Sequence, residues 1–119
     1  MKKIIIPLIA IMFLAIPVLA SDVEMKAYAE GALQGQSMIS LCATNSLVTL
    51  LDDGSLGIVI QIKPGDERYL QLIIYQGFDV CQKVVARYPD LPQCILLIED
   101  QSRKYLATTV AYGPNWKSA

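Results

Sequence analysis

Histidine is absent from this 119-residue chain. That removes the commonest metal ligand, the usual general base near neutral pH, and every Ser-His or Cys-His nucleophile pair. Charge is scarce too: 18% of residues are charged, and ten basic side chains against eleven acidic ones leave a formal net charge of −1. Such a balance provides no basic face for phosphates, so nucleic acid is not an expected partner. The three cysteines contain no CxxC spacing, and there is no glycine-rich phosphate loop or calcium loop. Neither a cofactor nor a metal site is expected. With one tryptophan and two phenylalanines, an aromatic surface would have to be built from tyrosine.

What is abundant is apolar. Hydrophobic residues make up 54% of the chain, which argues for a packed core and against disorder. Part of that share sits at the front. Lys2 and Lys3 precede an uncharged run from Ile4 to Leu19, and Val18-Leu19-Ala20 leads into polar Ser21-Asp22. This is the tripartite pattern of a secretory signal peptide over residues 1–20, cleaved after Ala20. The apolar run is shorter than the roughly 20 residues a spanning helix needs, so no membrane association is expected after cleavage. The expected product is periplasmic or secreted and bacterial, a single domain over residues 21–119. Losing two lysines and no acid makes it mildly acidic.

Asp22 is placed to cap a helix starting at Val23. Met25, Tyr28, Ala32, Gly35 and Ile39 follow at helical spacing, with a break near Gly35. Ala27, Gly31 and Gly35 form a small-residue stripe that suggests close approach to a neighbouring element. Ser46–Leu51 and Leu56–Lys63 read as strands joined by Asp52-Asp53-Gly54-Ser55, a strong hairpin signal. In the second strand Leu56, Ile58, Ile60 and Ile62 mark a core face. Asp66 is a good cap for one long helix over Glu67–Tyr88; the rival reading makes Tyr69–Tyr75 a strand, but alternation fails at Leu72-Ile73-Ile74. After Pro89-Asp90-Leu91-Pro92, Cys94–Ile98 and Tyr105–Tyr112 read as a second hairpin. The expected fold is α+β in the order α-β-β-α-β-β: an antiparallel four-stranded sheet of two hairpins, with two helices on one face.

Cysteines in an exported protein invite a disulfide. Cys81 on the apolar helix face and Cys94 at the start of the next strand are the candidate pair, with Cys42 an alternative partner for either and no bridge a third possibility. A catalytic thiol would need a base or a local positive field; Lys83 and Arg87 are close in sequence but project away from Cys81. The acidic pairs Asp66-Glu67 and Glu99-Asp100 fall at one end of the expected fold, yet each has a local role as cap or turn. Tyr105, Tyr112 and Trp116 form a candidate interaction patch. Val59 and Leu97 fall on the sheet face the helices leave open. These residues point to a non-enzymatic binding or accessory domain working through contact with another protein or a second copy of itself. The alternatives are a carrier of a small apolar ligand, its pocket lined by Leu70, Ile74, Cys81 and Val84, and a thiol-based redox protein.

Overall fold

The computed structural model describes residues 22–114. The expected signal segment and Trp116 lie outside them. Helix α1, described over residues 22–34, is followed by α2 (Ser37–Cys42) and the hairpin β1 (Ala43–Leu50) and β2 (Leu56–Ile62). A 3-10 turn (Asp66–Tyr69) leads into α3 (Leu70–Arg87), and β3 (Gln93–Glu99) and β4 (Tyr105–Tyr112) complete the fold.

The α+β class and the four-stranded sheet agree with the sequence reading; the pairing and helix order do not. The strands lie in the order β1-β2-β3-β4, and the central pair, β2 and β3, is parallel. Both outer pairs are antiparallel hairpins. The physical reason is α3. Its 18 residues span about 27 Å at 1.5 Å per residue, returning the chain to the end of the sheet where β2 began. The next strand must then run in the same direction as β2. A sheet of alternating directions needed β3 beside β1 or β4 beside β2; β3 instead takes the position beside β2, which makes the sheet mixed.

The first helical segment also differs from expectation, because it divides at Gly35-Gln36 into two helices. Asp22 is already helical. The buried stripe is Met25, Ala29 and Leu33, whereas Ala27, Gly31 and Gly35 are exposed and nothing lies within 4 Å of a Cβ built on Gly31. The small-residue stripe therefore faces solvent. At the second helix, Gly65 with φ +88° precedes the 3-10 turn, and no side chain caps it. Asp66 lies inside the turn, so the long helix begins at Leu70.

Burial alternates along the strands and places the core on one face. Val48, Leu56, Ile58, Ile60, Ile62, Cys94, Leu96, Ile98 and Ala111 share a cluster with Met25, Ala29, Leu33, Ile73, Val80 and Val84 from the helices. Gly77 sets how closely α3 lies on the sheet: a Cβ there would stand 2.5 Å from Leu96 Cδ2. A residue with any side chain would require the Leu96 methyls to move within a packed interface.

Candidate functional site

The helices cover one face of the sheet and leave the other uncovered among the described residues. Register identifies what lies on it, since residues paired across strands project from the same side. Leu47 pairs with Val59, Val59 with Leu97, and Leu97 with Thr108. The adjacent row runs Thr49, Gly57, Ile95, Val110. Leu51 folds over Gly57, its methyls about 3.5 Å from where a Cβ would stand. These two rows contain no charged residue. Leu47 is 58% exposed, and Val59, Ile95, Leu97 and Val110 are half-buried by one another.

Polarity returns at one end. Gln61 Nε2 donates to Glu99 Oε2 at 2.6 Å across the central strands. Gln61, Glu99 and Arg103 border a depression of about 260 Å³ whose floor includes Leu47 and Val59. Arg103 sits in the left-handed region, φ +67°, within the β3–β4 turn. Asp100 holds that turn by accepting from the Ser102 hydroxyl at 2.7 Å, the Ser102 N–H at 2.8 Å and the Lys104 N–H at 2.9 Å. These bonds hold the Asp100 carboxyl below its ordinary value, the Ser102 side chain contributing most.

Of the sequence-derived candidates, Tyr105 and Tyr112 flank this face. A register shift between Ile98 and Glu99 sets Tyr105 opposite Glu99, as Tyr112 is opposite Gln93. The bulge thus turns Tyr105 to the open side that Tyr112 reaches by regular alternation, and the two rings are 60% and 55% exposed. They lie at opposite ends of β4, about 24 Å apart at 3.4 Å per residue, as two ends of a rim. Trp116 is outside the described residues. Val59 and Leu97 stand side by side on the open face. Leu47, Ile95 and Val110 were not singled out from sequence, although the alternation Leu47/Thr49 and Ile95/Leu97 carried the signal.

The cysteines divide two and one. All three are buried free thiols. Cys81 on α3 and Cys94 on β3 belong to the same core cluster, no two of the cysteines are bridged, and Cys94 together with burial pushes the Cys81 thiol well above its ordinary range. Cys42 lies at the other end of the sheet. Burial raises its thiol, and the Asp66 carboxylate beside it adds to the effect. Nucleophilic thiols need the opposite environment. Lys83 pairs with exposed Asp79 at 2.9 Å, and Arg87 reaches Glu24 at 3.8 Å; neither faces a thiol.

The expected ligand-pocket residues are core packing: Cys81 and Val84 have no exposed surface, and Leu70 and Ile74 pack against the same cluster. A groove of about 610 Å³ lies elsewhere, between Met25, the β1–β2 turn and Tyr88–Leu91. Among the described residues, no three His, Cys, Asp or Glu side chains gather as a metal-binding group, and no helix is long and apolar enough to cross a membrane. Comparison with protein-family models, with curated proteins and with solved structures finds no match for this chain.

Proposed function

We propose that this is a small exported bacterial binding domain, without catalytic function, that assembles with a second copy of itself through the open face of its sheet. One observation carries the reading: two uncharged rows of side chains cross all four strands on the face that no helix covers among the described residues. The two rows cover about 19 by 14 Å, roughly 270 Å² from strand spacing and rise. That approaches the lower end of the largest patches on monomers, which are often functional. Packing two such faces about 10 Å apart would give a sandwich core, with Tyr105, Tyr112 and Arg103 as its rim.

The charge pattern selects the occupant. The two rows offer neither cation nor carboxylate to a charged partner; Glu99 and Arg103 stand at one end, where Glu99 is hydrogen-bonded to Gln61. An uncharged apolar surface of the same breadth fits the patch, and the same face of another copy is such a surface. At this size the patch alone falls short of the roughly 800 Å² per partner of a standard interface, so the expected dimer is reversible. The export part of the proposal rests on Lys2, Lys3 and the apolar run that follows.

Native mass spectrometry and sedimentation velocity test it. The wild-type protein is expected to dimerise with rising concentration, and Leu97→Lys or Val59→Lys is expected to give a folded monomer with unchanged circular dichroism. A wild-type protein that stays monomeric at all concentrations and binds no apolar dye would overturn the assembly.

A further inference from the structure

We propose that Cys81 and Cys94 are a disulfide site, closing a clamp between α3 and β3 when the chain folds in an oxidising compartment. The alignment of the two elements supports it. Gly77 lies against Leu96 so closely that a Cβ would clash. Cys81 is one helical turn beyond Gly77, and Cys94 is two residues before Leu96 on the same face of the strand. The helix runs opposite to the strand, so the steps match: about 6 Å along α3 and about 6.6 Å along β3. That offset sets the two cysteines at the same level, one on the helix and one on the strand beneath it. Neither has any exposed surface.

The same register rules out the third cysteine. Cys42 immediately precedes Ala43, which pairs with Ile62, whereas Cys94 pairs with Leu56. Six residues of β2 separate those levels, about 20 Å, against the 7 Å that a bridge can span between Cα atoms. The oxidant is a disulfide, either of a thiol–disulfide oxidoreductase or of oxidised glutathione. One cysteine thiolate attacks it, forming a mixed disulfide and releasing a thiol. The second cysteine then displaces the other half. Two protons and two electrons leave the pair, and the oxidant becomes two thiols. Because both sulfurs are enclosed once α3 docks, the exchange takes place in the folding chain.

Trypsin separates the three cysteines: Cys42 falls in residues 27–68, Cys81 in 69–83 and Cys94 in 88–103, since Lys63 precedes proline and resists cleavage. The test is to denature and reduce the purified protein, refold it in a glutathione redox buffer, alkylate the soluble fraction and map its peptides. The expected result is peptide 69–83 linked to 88–103, two hydrogens lighter than their sum, with peptide 27–68 alkylated. Cys42→Ala is expected to give the same link, and reduction is expected to lower the melting temperature. Three alkylated peptides without a link, or a link to peptide 27–68, would overturn the proposal.

Discussion

Cys42 and Cys81 are both raised above the ordinary thiol value of 9.0, so the native state favours their protonated forms. Their contribution to stability is complete below about pH 9 and is lost as the pH rises from there toward the folded values. The reduced protein is therefore expected to lose melting temperature steadily above pH 9. Oxidation of Cys81 and Cys94 removes one of the two groups, so the alkaline loss should shrink in a redox-paired thermal titration. The carboxylates act in the opposite direction. Asp79 is lowered by the Lys83 side chain and then by Gln36, and Asp100 by Ser102 and the Lys104 N–H. Their stabilisation is present above 3.8, their ordinary value, and disappears as the pH falls through the lower folded values. Asp100→Ala should lower the melting temperature at neutral pH by a few degrees and flatten its fall in acid. Both effects follow from losing the acceptor that holds Arg103 at positive φ.

Among the elements, the short α2 depends on its neighbour. Gln36, the residue before it, provides no side-chain cap. Gln76 on α3 instead accepts from the Met38 N–H at 2.8 Å and the Ile39 N–H at 3.3 Å. Gln76→Leu leaves those donors without their acceptor and should cost about 1–2 kcal/mol, read as a lower urea midpoint with faster amide exchange confined to α2. A ring cluster ties α1 to the end of α3: Tyr28 and Tyr88 meet edge to face at 6.0 Å, and the Tyr88 hydroxyl donates to Glu24 at 3.0 Å. At the end of β4, Gly113 donates its N–H to Pro92 O at 2.9 Å. A Cβ there would stand 2.1 Å from Leu91 O. Backbone cannot rotate aside as the Leu96 methyls can. Gly113→Ala is therefore expected to cost more than Gly77→Ala, about 2–3 kcal/mol by denaturant titration.

For the whole molecule, a dimer coupled to folding would make the melting temperature rise with protein concentration. The Leu97→Lys variant should lose that dependence and keep the low-concentration value. Much of the fold was legible along the chain. The β4 limits match the expected Tyr105–Tyr112, Asp53 and Gly54 mark the first hairpin, and the alternation from Leu56 to Ile62 identified the core face. These features depend on local chemistry: turn residues that tolerate positive φ, and a side-chain period of two. The parallel pair was legible only indirectly, in the near-continuous apolar runs of β2 and β3 that mark central strands. Neighbour choice in a sheet is a long-range competition for burial, and sequence spacing does not encode which strand wins. The residues themselves settled the α+β composition, the strand periodicity and the lack of histidine chemistry. Tertiary packing alone decided that Gly77 brings α3 down onto Leu96, that Cys81 stands level with Cys94 while Cys42 stays a sheet-length away, and that Leu47, Val59, Leu97, Ile95 and Val110 form one surface. Each of those depends on the three-dimensional register between segments, which no single segment contains.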